Sequence, residues 1–250
     1  MKAYIINLKE AIERRNYMQK QLALLPPSLS SEFIEAVNGK EMNREELEEN
    51  FDSEKFRLRY AKEVRPGEIG CTLSHQKCYR RLLESKEKCV LILEDDIIVR
   101  QNIDFLLPEL EKLLITNEPR IVLLSGWYWY LSTKVLKGHY RVANVYDAFL
   151  THAYAINRAA ASLIIESRPF IAADDWFYIR KKGVKIYAFL PHLLDQDWSG
   201  EYPTSINQEK KKQCKGMWKK KMEFIIFVCI YCQYDNTGRL WKNSRRGKSV

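Results

Sequence analysis

Residues 90–96 read Val-Leu-Ile-Leu-Glu-Asp-Asp, a run of four apolar residues followed directly by three acidic ones. A short, wholly apolar run is typical of a strand that is buried on both faces. Because uncompensated negative charge is costly to bury, the acidic triplet should lie where this strand leaves the core. In α/β proteins, ligands bind at that carboxyl edge of the strands. The stretch therefore predicts a central strand that carries carboxylates to a ligand site.

The acidic triplet has two interpretations. If the chain stays extended, Glu94 and Asp96 lie on one side of the strand and Asp95 lies on the other. Two carboxylates on the same side form a natural site for a hard divalent cation, with room for a phosphate ligand. The alternative is a solvated acidic turn that caps the next element.

The chain on either side of this stretch alternates between strand and helix patterns. The periodicity predicts strands at 3–7, 33–37, 121–124, 151–156 and 184–189, and helices at 9–24, 43–50, 71–85 and 158–167. Residues 65–70, which include two glycines, are expected to form a loop, and residues 127–130 an aromatic patch. Strands that alternate with helices predict an α/β fold with a mostly parallel central sheet and helices on both faces.

Several other polar side chains are candidates for ligand binding. Arg14 and Arg15 fall in the first turns of the first predicted helix, where cations oppose the helix dipole unless they have an anionic partner. That partner could be a diphosphate, which suits the forked guanidinium, although a solvated surface pair is the alternative. Glu68, Ser74 and His75 follow the glycine-bearing loop, which would allow close approach of a ligand.

Asp174 and Asp175 form a second acidic pair, and they precede the aromatic residues Trp176 and Phe177. Aromatic faces beside carboxylates are common where sugars bind, since rings stack on C–H faces while carboxylates accept hydroxyl hydrogens. The alternative is the capped first turn of a helix. Two further residues, His152 and His192, are each candidates for a metal shell, and the sequence does not choose between them.

The positive charge of the chain is concentrated at its C-terminal end. Residues 1–207 contain 29 basic and 29 acidic side chains, whereas residues 208–250 contain 12 basic and 3 acidic ones. A neutral domain with a basic, aromatic tail favours attachment to an anionic membrane surface over nucleic-acid binding. The longest apolar run of the tail, 224–231, is too short to span a bilayer and could instead pack on the domain.

The N-terminal apolar stretch is too short for a secretory signal, so we expect a cytoplasmic protein with its six cysteines reduced. We expect it to attach peripherally to an anionic membrane surface through its basic tail. Cys229 and Cys232 form a CxxC pair without a second pair, which argues against a zinc site in the tail.

Short strings along the chain occur in a recognisable order. They are IINL at 5–8, ERR at 13–15, AVNG at 36–39, PGEIGCTLSH at 66–75, LEDD at 93–96, THAYAI at 151–156, Ala173-Asp174, and Pro191 with Gln196. Together these strings resemble glycosyltransferase family 25, the enzymes that extend lipooligosaccharide and lipopolysaccharide chains in Gram-negative bacteria. The resemblance covers about residues 1–207, and the combination of the 66–75 and 93–96 strings is specific.

The resemblance implies a GT-A-like fold and an inverting transfer of a hexose from a UDP-sugar. Galactose is the expected sugar, as in a β-1,4-galactosyltransferase, with lipid-linked oligosaccharide as the acceptor and Mn²⁺, or Mg²⁺, as the cation. The expected donor-binding residues are Asn7, Leu8, Arg14, Arg15, Glu68, Ser74, His75, Glu94 and Asp95. The expected metal ligands are Asp96, Glu94, His152 and His192.

Direct displacement at the anomeric carbon requires a general base for the acceptor hydroxyl. We expect Asp174 in this role, with Asp175 as the second candidate. Two other functions are compatible with the residues. One is a UDP-glucose-dependent transferase of the same family, and the other is a non-catalytic module that binds calcium and glycans.

Overall fold

The computed structural model describes residues 1–99 and 103–197, all of which lie in a compact unit, Met1–Tyr202. Its strands are β1 (Lys2–Asn7), β2 (Ser30–Glu35), β3 (Cys89–Glu94), β4 (Ile97–Val99), β5 (Arg120–Leu123), β6 (Trp127–Lys137), β7 (Tyr140–Phe149), β8 (Ala153–Asn157), β9 (Lys185–Leu190) and β10 (Leu194–Gln196). Its helices are α1 (Ile12–Leu22), α2 (Arg44–Asn50), α3 (Ser53–Tyr60), α4 (Pro66–Glu84), α5 (Leu107–Leu114), α6 (Arg158–Ile164) and α7 (Trp176–Lys181), with a 3-10 helix at Asp104–Leu106.

Eight of the described strands form one sheet, in the order β2-β1-β3-β8-β5-β9-β7-β6. Strands β1, β2, β3, β5, β6 and β9 run in one direction, and β7 and β8 run in the other. The predicted α/β, GT-A-like fold is therefore confirmed, with the qualification that two reversed strands make the sheet mixed. A separate antiparallel pair is formed by β4 and β10.

The two faces of the sheet support separate hydrophobic cores. Along β3, Leu91 and Leu93 face the core that includes Met18 of α1 and Leu110 of α5. Their neighbours Val90 and Ile92 face the opposite core, which includes residues of α4, α6 and α7. All four β3 residues are fully buried. The helices therefore cover both faces of the sheet, as the apolar run predicted.

Helix α4 begins earlier than the sequence predicted. Residues 65–70 were expected to form a loop, but Pro66 is the first residue of the helix, where its missing N–H and fixed φ are favourable. Gly70 lies inside α4 against the turn after β2: a Cβ on it would lie 2.5 Å from the Val37 carbonyl oxygen. The glycine therefore permits contact between two backbones rather than a loop for a ligand.

The predicted aromatic patch at 127–130 is the first part of β6, which pairs with β7 in a long hairpin at one edge of the sheet. Gly138 forms the turn of this hairpin at φ +59°. Among the described residues, no helix combines the length and the apolar character that a membrane crossing requires. The predicted domain boundary at residue 207 and the basic tail at 208–250 lie outside the described residues and stay predictions.

Candidate active site

The acidic triplet lies at the carboxyl end of β3, as predicted, and only its first residue belongs to the strand. Glu94 is the last residue of the strand, whereas Asp95 and Asp96 form the turn that leads into β4. In this turn the two aspartates both contact the guanidinium of Arg14, whereas Glu94 lies near His75 of α4. The expected pairing of Glu94 with Asp96 at one cation stays a prediction, since the ion pairs show only that Arg14 joins Asp95 and Asp96.

Arg14 of α1 bridges the two aspartates. Its Nη1 lies 2.8 Å from Asp95 Oδ1 and its Nη2 lies 2.9 Å from Asp96 Oδ2. Asn7, at the end of β1, donates from Nδ2 to Asp95 Oδ2 over 2.7 Å. The parallel pairing of β1 with β3 brings these residues together. Arg14 therefore has an anionic partner in the protein itself, a carboxylate pair, and its contact with a diphosphate stays a prediction.

Asp96 keeps one oxygen available for a ligand. Its Oδ2 accepts from Arg14 and, over 2.9 Å, from Gln196 Nε2, whereas Oδ1 is buried without a hydrogen-bond partner among the described residues. Burial, helped by the charge of Glu94, raises the pKa of Asp96. Burial also raises the pKa of Asp95 to about 6, although Arg14 and Asn7 act in the opposite direction. Both shifts arise mainly from burial, which disfavours the charged form of each carboxylate.

Glu94 has a different set of partners. Thr151 donates its hydroxyl hydrogen to Glu94 Oε1, and His75 Nε2 lies 3.5 Å from the same oxygen. Burial favours the neutral acid, but the bond with His75 and the field of His152 outweigh it and lower the pKa of Glu94 to about 2. Buried His152 lies beside Glu94, since its carbonyl oxygen accepts from the Glu94 N–H over 2.8 Å.

His75 lies in a buried chain of polar groups. Its Nδ1 is 2.8 Å from the hydroxyl of Tyr154 on β8, and that hydroxyl is 2.9 Å from the hydroxyl of Tyr79 on α4. His75 is 2% exposed, so its contact with a sugar nucleotide stays a prediction and its described contacts are with protein groups. The chain fixes the orientation of the imidazole ring.

The two aspartates of the second acidic pair have different surroundings. Asp174 is half-buried, and its Oδ2 accepts from the backbone N–H of Leu150 over 3.3 Å. Leu150 has a left-handed conformation, with φ +74°, and it immediately precedes Thr151. Asp174 contacts Leu150, and the next residue, Thr151, contacts Glu94. Asp174 therefore lies at the same edge of the sheet as the acidic triplet.

Asp175 has the contacts of a structural residue. It is the N-cap of α7, where Oδ1 accepts from the Tyr178 N–H over 3.0 Å. Its Oδ2 accepts from Arg59 over 2.6 Å and from the Tyr60 hydroxyl over 2.5 Å. Since both oxygens are occupied by protein donors, the helix-cap interpretation accounts for Asp175, and the contacts give no support to its role as a base.

The prediction that Trp176 offers an aromatic face to a sugar beside these acids is wrong. This side chain is fully buried in the core, and its Nε1 donates to the Leu150 carbonyl oxygen over 2.9 Å. Phe177 is half-buried and meets Tyr146 edge to face, with 5.8 Å between the ring centroids. The apolar periodicity of α7 explains the result, since a helix directs part of its aromatic content into the core.

Two other predicted donor-binding residues make contacts within the protein. Ser74 donates to the Gly70 carbonyl oxygen over 2.7 Å and accepts from the Val37 N–H over 2.8 Å. Glu68 accepts from Lys62 and Arg65 in the first turn of α4. These contacts stabilise α4 and the turn after β2, and direct contact with a nucleotide stays a prediction.

For the remaining candidates, contact with a donor or a metal stays a prediction. Exposed Arg15 stacks on Phe33, with 4.2 Å from its guanidinium carbon to the ring centroid. Leu8 follows β1, and its carbonyl oxygen accepts from the Ala11 N–H over 3.0 Å. His192 packs against Tyr128, and burial lowers its pKa, which favours the neutral imidazole that a metal requires.

A sequence profile described as glycosyltransferase family 25 (LPS biosynthesis protein) matches residues 1–177. The chain belongs to glycosyltransferase family 25. A relative named glycosyltransferase 25 family member, from Anopheles gambiae, is 37% identical over 100 residues. That match covers 38% of this chain and 16% of the relative, so the chain corresponds to a small part of that protein.

Human procollagen galactosyltransferase 2 is 31% identical over 97 residues, which cover 38% of this chain and 15% of that protein. Among solved structures, mouse xyloside xylosyltransferase 1 in its apo form aligns with a TM-score of 0.40 and 9% identity. That alignment covers 74% of this chain and 70% of the mouse chain.

The structure adds residues to this family 25 site that the sequence analysis did not assign. Thr151 contacts Glu94, Tyr154 orients His75, and Gln196 contacts Asp96. All three lie in strings that carried the family resemblance, at 151–156 and at Pro191 with Gln196. Their presence in those strings was the available signal, but their partners are far away in the sequence and only the sheet pairing reveals them.

Proposed function

We propose that this protein is an inverting glycosyltransferase that moves a hexose, most plausibly galactose, from a UDP-sugar to a carbohydrate acceptor. The observation that carries the proposal is the buried pair Asp95–Asp96 at the carboxyl edge of β3, with Asp96 Oδ1 left without a partner among the described residues. Such a group suits a nucleoside diphosphate bound through a cation. Membership of family 25 supports the same conclusion.

The residues present fit a divalent cation. Arg14 pairs with both Asp95 and Asp96, so one positive charge faces two carboxylates and a divalent cation would supply the missing positive charge. Asp96 Oδ1 would be a ligand while Oδ2 keeps its bonds to Arg14 and Gln196, and carboxylate oxygens favour Mn²⁺ or Mg²⁺. His152 is our candidate for a further ligand, since its backbone pairs with Glu94 at the same edge of the sheet. When bound, the cation supplies Lewis-acid stabilisation of the diphosphate leaving group.

The protein's own residues orient the reactants. Arg14 and Asn7 hold the Asp95 and Asp96 carboxylates in place, so that no rearrangement is needed when charge develops on the leaving group. Asp174 is the proposed base for the acceptor hydroxyl. Among the described residues, Asp174 accepts a hydrogen bond at Oδ2 from the Leu150 N–H, so Oδ1 could take the incoming proton.

The acceptor has two candidate sources in the names of the matched proteins. The family description is an LPS biosynthesis protein, and a relative is a procollagen galactosyltransferase. We favour a lipid-linked lipooligosaccharide or lipopolysaccharide acceptor at the cytoplasmic face of a bacterial inner membrane, because the basic tail suits an anionic surface.

The donor is tested by incubating the full-length protein with a panel of UDP-sugars and acceptors, with Mn²⁺, Mg²⁺ or EDTA, and measuring UDP release. We expect UDP-galactose to give the highest rate, with loss of activity in EDTA. Asp96→Asn should lower the rate at least about 100-fold, since a buried group that stabilises developing charge contributes on this scale. Glycan binding without any release of UDP would instead favour the non-catalytic alternative.

The base assignment is tested separately with Asp174→Asn. We expect kcat to fall about 100-fold or more, since a general base contributes on that scale, while UDP still raises the thermal unfolding midpoint as in the wild type. Asp175→Asn is the matched control. Because Asp175 caps α7, its substitution should lower the thermal unfolding midpoint. A correctly folded sample of this variant should keep a kcat near that of the wild type. Near wild-type turnover in Asp174→Asn would show that another group is the base.

A further inference from the structure

A second set of metal-ligating side chains lies beside the acidic triplet. It consists of Cys71 and His75 on α4 and Glu94 at the end of β3, and the potential ligand atoms of these three residues all lie within 4.8 Å of one another. The group contains sulfur, nitrogen and oxygen, whereas the Asp95–Asp96 pair offers oxygen alone. The two groups therefore suit different cations.

The positions of the three residues match the geometry of a transition-metal site. Cys71 and His75 are four residues apart on α4, so their side chains lie on one face of the helix. His75 Nε2 lies 3.5 Å from Glu94 Oε1. A tetrahedral zinc ion with bonds of about 2.0–2.2 Å to nitrogen and oxygen separates these ligand atoms by about 3.3–3.6 Å.

The surrounding contacts prepare His75 and Glu94 for a cation. The Tyr154 hydroxyl lies 2.8 Å from His75 Nδ1, and the hydroxyl of Thr151 donates to Glu94. Zinc would bind the lone pair of Nε2, and the proton would then lie on Nδ1, where the Tyr154 hydroxyl can accept it. A hydrogen bond at the other ring nitrogen orients metal-binding histidines in this way.

We propose that Cys71, His75 and Glu94 bind a zinc ion, with solvent as the fourth ligand. A thiolate and an imidazole select zinc over manganese or magnesium, which prefer oxygen ligands. This site is distinct from the Asp95–Asp96 pair, and it assigns Glu94 to the helix side of the triplet. The proposal does not depend on the sugar-transfer activity.

Cobalt provides a direct test, since Co²⁺ bound to a thiolate has a charge-transfer absorption in the near ultraviolet. The full-length protein is treated with a chelator, dialysed under reducing conditions and titrated with Co²⁺. We expect this absorption to appear at one equivalent per chain, to disappear on addition of Zn²⁺, which binds more tightly in the usual order, and to be lost in Cys71→Ser.

Two control variants separate the proposed site from other ligands. Substitution of Cys214, Cys229 and Cys232 by serine removes the cysteines of the tail, and the absorption should persist. Asp96→Asn alters the oxygen site, and the absorption should again persist. Absence of the band in the wild type, its persistence in Cys71→Ser, or its loss in the tail variant would each overturn the proposal.

A crystallographic measurement covers the case in which Cys71→Ser fails to fold. Crystals of the wild-type protein grown with ZnCl₂ should show an anomalous difference peak at the zinc edge between Cys71 Sγ, His75 Nε2 and Glu94. A zinc peak found elsewhere, with none at this position, would overturn the assignment.

Discussion

At the scale of single residues, Arg14 determines the electrostatic balance of the candidate active site. Its guanidinium contacts Asp95 and Asp96 in one fork, and its side chain is 17% exposed while those of the aspartates are 9% and 4% exposed. Removal of one partner from a buried ion pair leaves the other uncompensated, which costs far more than the intact pair contributes. The two aspartates would then repel each other as well.

Arg14→Ala should therefore destabilise the protein by about 3 kcal/mol, the usual cost of leaving a buried charge without its partner. Chemical denaturation followed by circular dichroism measures the change in the free energy of unfolding. Arg15→Ala is the matched control, since its side chain is exposed and stacks on Phe33, and it should cost about 0.5 kcal/mol. If both variants lost the same free energy of unfolding, the contacts of Arg14 with Asp95 and Asp96 would add no specific stability.

At the scale of secondary-structure elements, Glu68 ties the first turn of α4 to the chain before it. Its Oε2 accepts from the backbone N–H of Arg65 over 3.0 Å, and its Oε1 accepts from Lys62 over 2.8 Å. Burial acts to raise the pKa of Glu68, but the bonds from Arg65 and Lys62 outweigh it and lower the pKa. Its ionised form is thus stabilised by folding.

The stabilisation by Glu68 should depend on pH in a defined direction. A carboxyl whose pKa is lower in the folded state stabilises the protein above its unfolded pKa of about 4.3, and this contribution is lost as the pH falls through the folded pKa. Glu68→Gln keeps an acceptor for the Arg65 N–H but loses the charge, so it should cost about 1 kcal/mol at pH 7 and less below about pH 4.

Denaturation of both proteins at a series of pH values measures this difference. Exposed Glu45, in the first turn of α2, provides the control, and Glu45→Gln should change the free energy of unfolding by less than about 0.5 kcal/mol. If the stability lost in Glu68→Gln, relative to the wild type, increased as the pH fell, the ionised carboxylate would not be the source of the stabilisation.

The elements also show which parts of the fold were predictable from sequence. Strand β3 was predicted closely because its signal, an unbroken apolar run, is local. The start of α4 was missed because Gly67 and Gly70 indicate a loop when the backbone contact that needs Gly70 is not visible in the sequence. The β6–β7 hairpin was missed because Trp127 to Tyr130 does not alternate between apolar and polar residues.

At the scale of the whole molecule, the candidate active site is a product of sheet order. Strand β3 lies between β1 and β8, so Asn7 and Thr151 reach the acidic triplet from opposite sides although more than 140 residues separate them. The sequence predicted the triplet itself, since its three residues are consecutive. It could not predict that Arg14 would pair with Asp95 and Asp96, because that contact depends on which strands are neighbours.

The asymmetry of charge leads to a prediction about the full-length chain. Residues 1–207 carry equal numbers of basic and acidic side chains, so attraction to an anionic membrane would have to come from the basic tail. Each lysine near an anionic surface contributes about 1 kcal/mol. Replacement of Lys219, Lys220 and Lys221 by glutamine should therefore weaken binding to phosphatidylserine-containing vesicles by about 3 kcal/mol, or roughly 100-fold.

Vesicle co-sedimentation over a range of salt concentrations measures this binding, and the difference should shrink as salt screens the interaction. The matched control replaces three exposed lysines of the domain, Lys86, Lys88 and Lys134, by glutamine and so makes the same change in net charge. If binding depended on net charge alone, both variants would weaken equally. Since attraction falls off within a Debye length of the surface, only lysines that approach the headgroups contribute, and the tail variant should therefore lose much more affinity than the control.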